Sequence, residues 1–336
     1  MILVTGGTGM VGAHLLLRLT QSGHSVRAIY RNEKAIEKTR KVFSYVGQDV
    51  DLLFSKIEWV AADITDIPSL ESAFLGVEKV YHIAALVSFD ERDAKRMRTV
   101  NIGGTANVVN LCLALKVKKL CFVSSIAAIS KSVQKSFIDE EDEFNLLTSN
   151  YSYAITKYGA EMEIWRGLEE GLDVIVVNPG VIIGPGFWKE NSGVLFSMID
   201  QRGMFYTEGI TGFVGVDDVV SIMVKAMDSK IVNERFILVS ENVCFKEVLF
   251  LIADLLGRKK PNIKVTSFVA EIGWRLAWLK SFVFGGVNAF SRHTAKSANN
   301  KSYYTSKKVL HAFDFQFEKI ESVVNKTVLY YKKDHA

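Results

Sequence analysis

Tyr153 and Lys157 stand four residues apart in YAITKYGAE, so on a helix their side chains share one face. An ammonium beside a phenol favours the phenolate and lowers the phenol's pKa. That would make Tyr153 usable as an acid/base near neutral pH. Ser125, closing the run KLCFVSS, adds a hydroxyl that can hold a substrate oxygen beside the phenol. Taken alone, Tyr-x-x-x-Lys is common and is also what a surface tyrosine and lysine produce. A second constellation at the chain start makes it specific. There TGGTGMVGAHL places Gly6, Gly9 and Gly12 directly after a strand-like run. Glycine permits the tight turn, lets the backbone approach a pyrophosphate and allows close helix–strand packing. A helix opening at this point offers unpaired N–H groups and partial positive charge to phosphates. A dinucleotide is the expected ligand, with Thr8, Met10 and Val11 in the same turn as its neighbours; a plain tight turn is the alternative.

The end of the next strand bears on which dinucleotide. An NAD site usually carries Asp or Glu there to hold the ribose hydroxyls. Here the strand ends Ile29-Tyr30-Arg31-Asn32, and the first acid is Glu33. Arg31 could instead pair with a 2′-phosphate, so NADP is expected, with NAD still open.

These groups need elements to position them. ILVTG, SVRAIYR, IEWVAAD, KVYHIAA, KLCFVSS and LDVIVVNPG read as strands. MVGAHLLLRLTQSG, SLESAFLG, TVNIGGTANVVNLCLALK and SYAITKYGAEMEIWRGLEEG separate them at helical spacing. Strand and helix alternating in this way predict an α/β fold with a doubly wound parallel sheet. The strands are apolar almost throughout, as when both faces are covered. After about residue 180 the regularity breaks into shorter segments, including FVGVDDVVSIMVKAM and FILVS. The expected division is residues 1–177 with 211–240 for the dinucleotide, and 178–210 with 241–336 as a smaller, interleaved substrate part.

With these motifs in order, the sequence resembles the extended short-chain dehydrogenase/reductase family, also called the NAD-dependent epimerase/dehydratase family. The likeness runs over essentially the whole chain and rests on TGGTGMVG, AADITD, VYHIAALVSF, VNIGGTANVV, FVSSIAAI, YAITKYGAE, VNPGVIIGPG and FVGVDDVV. It implies that Ser125, Tyr153 and Lys157 form the catalytic trio. It further implies that Asp63 and Ile64 flank the adenine, and that Ala84 and Ala85 line the pyrophosphate and nicotinamide ribose. By the same likeness Asn101 holds the active-site hydrogen-bond network, and Pro179 and Val181 flank the carboxamide. Read without the resemblance, Asp63 is a strand-end cap and Asn101 a helix cap. Within the family, the segments are most similar to dihydroflavonol reductase-like and hydroxysteroid dehydrogenase-like members. Nucleotide-sugar dehydratases typically carry Thr-Asp-Glu where this chain has Ser125-Ile126-Ala127, which disfavours dehydration. Gly215 replaces a histidine common in the family, and Asp217 and Asp218 read as a helix start rather than as catalytic carboxylates.

Composition removes other classes. Hydrophobic residues make up 49% and charged residues 23%, ordinary for a globular chain. The 41 basic and 37 acidic residues leave a net charge of +4, too balanced to predict nucleic-acid binding. The three cysteines form no CxxC pair, and the six histidines have no ligand spacing. No metal is expected, and a reducing cytoplasm fits. The start MILVTGG enters a strand at once, so a signal peptide is not expected. The most apolar stretch, 268–290, is broken by Glu271, Arg275 and Lys280, and no membrane span is expected. Phe268, Trp274, Leu276, Trp278, Leu279, Phe282 and Phe284 in it read as a pocket wall or as core, with shallow membrane contact a lesser alternative.

The expected function is hydride transfer between NADP(H) and a ketone/secondary alcohol pair on a small, apolar cyclic molecule. The expected partner is that carbonyl or alcohol substrate, and a homodimer stays open. A nucleotide-sugar epimerase retaining NAD and a non-catalytic dinucleotide-binding sensor or assembly factor are the alternatives.

Overall fold

A computed structural model of the chain describes residues 1–47, 49–130, 135–147, 151–266 and 299–336. The aromatic positions between Phe268 and Phe284 lie outside the described residues. Seven strands build the main sheet: β1 (Ile2–Thr5), β2 (Val26–Tyr30), β3 (Ile57–Ala61), β4 (Lys79–His82), β5 (Lys119–Val123), β6 (Val174–Pro179) and β10 (Glu234–Leu238). All pair in parallel, in the order β10-β6-β5-β4-β1-β2-β3. The expected doubly wound sheet is present, and its order reverses between β1 and β4. Open α/β sheets bind ligands in the crevice that such a reversal creates.

Strand periodicity divides the core in two. Leu3, Val80, Phe122 and Val176 pack on one face, and Val4, Tyr81, Cys121 and Val177 on the other. The first set meets helices Ile67–Phe74, Gly104–Ala114 and Ser152–Glu169. The second meets helices Met10–Gln21, Ile36–Phe43 and Val216–Asp228. β5 and β6, in the middle of this sandwich, are buried along their whole length. That is why they read as unbroken apolar runs.

Past β6 the chain builds a second unit. β7 (Val181–Ile183) and β9 (Ile210–Gly215) run parallel, with β11 (Glu241–Cys244) antiparallel to β9. Two short strands, β8 (Phe205–Tyr206) and β12 (Ile263–Lys264), pair separately. Ile183, Phe196, Phe213, Ile252, Val324 and Tyr331 join helices Gly193–Asp200, Phe245–Leu256 and Ile320–Asp334 into a third core. This unit faces the β1/β4 crevice. No helix among the described residues is long and apolar enough to cross a membrane.

Candidate active site

The glycine turn sits at the C-terminal end of β1. Gly6 takes φ +74°, and a Cβ there would meet Ala84 N at 2.7 Å. A Cβ on Gly12 would meet Gly6 O at 2.1 Å, so any side chain at 12 would force the turn off the helix. Helix Met10–Gln21 starts with no side-chain cap, and Gly9, Met10 and Val11 at this start border the crevice, where first-turn N–H groups lack helix partners. A cavity of about 1000 Å³ opens above it. Gly6, Thr8, Gly9, Met10, Val11, Arg31, Ile64, Ala84, Ala85, Ser125, Tyr153, Lys157, Pro179 and Val181 all line that cavity. Residues from both ends of the sequence reading thus meet in one space, and the uncapped helix start and bare glycine backbone fit a dinucleotide diphosphate.

Gly12, Asp63 and Asn101 are not in the wall. Gly12 acts from beneath, by letting the helix touch the turn. Asp63 accepts from the Thr65 N–H and hydroxyl at 2.8 Å, and its other oxygen is 3.9 Å from Arg31 Nη1. It is a strand-end anchor beside Arg31, while Ala62 and Ile64 face the cavity. Lys38, on helix Ile36–Phe43, joins Arg31 in the wall and is ion-paired with Glu190 from the segment following β7. Only tertiary structure brings Lys38 and Glu190 together. The sequence offered no sign of the pair.

Asn101 lies in a π-helical turn, Arg98–Gly103, and is buried. Its side chain does not cap a helix. Oδ1 accepts from Leu86 N at 2.7 Å, while Nδ2 donates to Leu86 O at 3.0 Å and to Thr156 Oγ1 at 3.1 Å. This clamps the segment after β4 to the helix carrying Tyr153 and Lys157. The main chain of Asn101 continues the network. Thr105 donates to Asn101 O at 2.5 Å, so it must accept from His82 Nε2, 3.0 Å away. His82 Nδ1 then accepts from Thr5 at 2.8 Å, and Thr5 Oγ1 accepts from Ile83 N and Ala84 N. The tautomer is fixed by this sequence of donors. Burial, with the Lys157 charge nearby as a lesser cause, pushes the His82 imidazole down to about 3. His82 is therefore neutral and holds the two strands that frame the crevice.

Helix Ser152–Glu169 presents Tyr153 and Lys157 to the cavity. Burial pushes the Tyr153 phenol up, and a hydrogen bond with Ser125 pulls it part of the way back. Lys157 is engaged elsewhere: it donates to Val123 O at 2.7 Å and lies 4.6 Å from the centre of the Phe122 ring. The expected lowering of the phenol by the ammonium is not what this geometry gives, because desolvation of the phenol is the larger effect. Burial also brings Lys157 down, to about 8, with Glu161 one turn on opposing the shift. Phe89 and Tyr151 lie 5.9 and 6.4 Å from the Tyr153 ring, and Leu195, Phe245 and Tyr304 share the same wall. None of these five was singled out from sequence.

Asp217 and Asp218 fall in the first turn of helix Val216–Asp228, after Gly215 at its cap position. They cap nothing there. Asp217 is 3.7 Å from His14 and Asp218 accepts from Glu318 N at 2.9 Å, so both tie the helix to neighbouring segments.

A model of the NAD-dependent epimerase/dehydratase family matches residues 2–238. The chain belongs to this family. Members are NAD(P)-dependent enzymes, and the chain is an oxidoreductase of CH–OH and carbonyl groups, in keeping with its reductase relatives. It is 31% identical over 274 residues to tetraketide alpha-pyrone reductase 2 of Arabidopsis thaliana, covering 77% of this chain and 83% of that one. It is 28% identical to sterol demethylase protein B of Methylococcus capsulatus, covering 78% and 76%. Its fold is similar to that of UDP-glucose 4-epimerase from Thermotoga maritima, solved with UDP-glucose: TM-score 0.78, 22% identity, coverage 100% and 99%.

Proposed function

We propose that the protein is an NADP(H)-dependent reductase of a ketone on an uncharged, apolar cyclic small molecule, or the dehydrogenase of the matching secondary alcohol. The observation that carries this reading is the wall around Tyr153. Val87, Phe89, Tyr151, Leu195, Phe245 and Tyr304 line the cavity with it, Phe89 and Tyr151 against its ring, and the only cations in the described lining are Arg31, Lys38 and Lys157. Arg31 follows β2 and Lys38 lies on the next long helix, beyond the β1/β4 crevice from Tyr153, and Lys157 is held at Val123 O. Beside Tyr153, a substrate diphosphate would therefore find no free cation in the described lining, whereas an aromatic or fused-ring ketone would find an apolar slot with a few orienting polar groups.

In this reading Tyr153 gives its proton to the substrate oxygen, Ser125 orients that oxygen, and Lys157 holds the nicotinamide ribose. A bound nicotinamide would supply the hydride. The test is NADPH oxidation with a tetraketide α-pyrone, a dihydroflavonol, a 3-ketosteroid and UDP-galactose. Turnover of one of the first three, and none of the sugar nucleotide, supports the reading. Epimerisation of UDP-galactose with tightly retained NAD would replace it.

Arg31 and Lys38 are proposed to receive the 2′-phosphate of NADP(H). A charge-assisted contact to phosphate contributes roughly 1.5–3 kcal/mol, so NADPH should bind roughly 10- to 100-fold more tightly than NADH. Arg31→Ala and Lys38→Ala should each remove much of that preference while leaving NADH affinity nearly unchanged. Fluorescence titration of both cofactors measures this. Equal affinity in the wild-type protein would make both residues bystanders.

A further inference from the structure

Behind the catalytic face lies a second charged cluster to which the proposed reaction gives no part. Glu161 stands on the same helix face as Tyr153 and Lys157, one turn further on, and is 0% exposed. A carboxylate so placed is costly unless it is paired, and its partners come from separate strands. Asn178, on β6, donates from Nδ2 to Glu161 Oε1 at 2.6 Å and to the main-chain oxygen of Ser125 at 3.0 Å. Two acceptors on one nitrogen fix which way the amide is turned. Arg235, on β10, directs Nη1 to Glu161 Oε2 at 3.6 Å, while its remaining nitrogens bond the main-chain oxygens of Glu140 and Asp142. The Ser124 hydroxyl, beside the end of β5, also lies close to the carboxylate.

We propose that Glu161 is a positioning residue for the reaction: its carboxylate fixes the main chain of Ser125 through Asn178 and keeps Lys157 in its charged form. The proposal rests on the assignment of Ser125, Tyr153 and Lys157 as the reacting trio. Its physical basis is a charge count. Two buried or nearly buried cations, Lys157 one turn back on the same helix and Arg235 at 3.6 Å, neighbour the Glu161 carboxylate. Arg235 cannot give up its proton, and it keeps Glu140 and Asp142 as neighbours, bonding their main-chain oxygens while the Glu140 carboxyl accepts from Ile237 N on the same strand, so loss of Glu161 leaves Lys157 as the cation short of a counter-charge. Lys157 would then be the one to lose its proton. The other groups facing Lys157 do not replace the carboxylate. His82 from β4 is neutral, Phe122 and Val123 O of β5 offer a ring and a carbonyl, and Tyr153 is protonated.

Glu161→Gln keeps the size, and its carbonyl oxygen can still accept from Asn178, so the main-chain link survives while the charge is lost. The experiment is the pH profile of kcat/KM from about pH 5.5 to about 9.5, using NADPH and the ketone that responds in the substrate panel. In the wild-type enzyme the rate should fall as pH rises through about 8, where Lys157 loses its proton. In E161Q that limb should move down by about one unit, giving about fivefold lower kcat/KM at pH ~8 and a difference under about twofold at pH ~6. Glu161→Asp, which restores the charge, should move the limb back toward the wild-type position. Arg235→Gln leaves the carboxylate in place and removes the competing cation, so it should move the limb up, and it serves as the test should E161Q fold poorly. A uniform loss at every pH, or an unmoved limb in these variants, means a merely structural role and overturns the proposal. Y153F measured alongside separates the two levels. Full activity in Y153F overturns the trio and this proposal together. An inactive Y153F with an unmoved limb in E161Q overturns this proposal alone.

Discussion

Tyr153→Phe is expected to lower kcat by about 100-fold or more while NADPH affinity stays within about twofold. The substitution removes one hydroxyl and keeps the ring, whose packing against Phe89 and Tyr151 needs no oxygen. Half-buried at the cavity wall, the phenol is held in its protonated form by desolvation, opposed only in part by the Ser125 hydrogen bond. A group held protonated is suited to giving a proton to a developing alkoxide, which is the demand of carbonyl reduction. No second acid stands beside Ser125 in the described wall: the residues that follow it are Ile126 and Ala127. Ser125→Ala should be milder, because it removes the orienting bond and leaves the donor. Steady-state kinetics with the responding ketone, paired with fluorescence titration of NADPH, measures both quantities. Turnover of Y153F near the wild-type rate would assign the proton to another group and dismantle the trio.

Much of this site was legible because its local signals agree with the global fold. The Gly6–Gly12 turn needs one glycine at positive φ and one without a Cβ under the turn oxygen, and both demands act within a few residues of sequence. The parallel sheet declared itself through β5 and β6, whose complete burial leaves no polar face to interrupt the apolar run. What stayed hidden depends on distance along the chain. Lys38 meets Glu190 across 152 residues, and His82 meets Thr5 across 77. Neither pair has a period or spacing that a single sequence could display. The Tyr153 phenol was misjudged for a related reason. Helical spacing put Lys157 on the right face but could not register that Val123 O would engage the ammonium, nor that desolvation would outweigh its charge. Asn101 failed as a helix cap because its turn is π-helical and continues into the next helix, so there is no helix end there to cap.

Acid should destabilise the protein through one buried imidazole. His82 is 0% exposed, both its ring nitrogens are bonded to threonines, and burial with the nearby Lys157 charge holds it down to about 3. In the unfolded chain the same ring titrates near ~6.5. Between those two values the unfolded chain binds a proton that the folded one refuses. The contribution is therefore fully present above about pH 6.5 and is lost progressively as pH falls toward about 3. Over the span from about pH 7 to about pH 5 the loss should be on the order of 2 kcal/mol, rising further at lower pH. Burial works in the opposite sense on Asp218, which is raised to about 6, and on Glu161, which is also raised. Their folded forms take up protons more readily than the unfolded chain, so they favour the folded state as pH falls. The total acid slope thus mixes signs, and only a difference isolates the imidazole. His82→Gln retains an N–H donor toward Thr105 and an acceptor but carries no titrating proton. Urea unfolding of both proteins at fixed ionic strength should give midpoints that draw together as pH falls: the variant starts less stable near pH ~7 and loses about 2 kcal/mol less than the wild type on the way to pH ~5. Parallel pH slopes for the two proteins would mean that His82 accepts its proton without unfolding, and the threonine network framing the crevice would then have to tolerate an imidazolium.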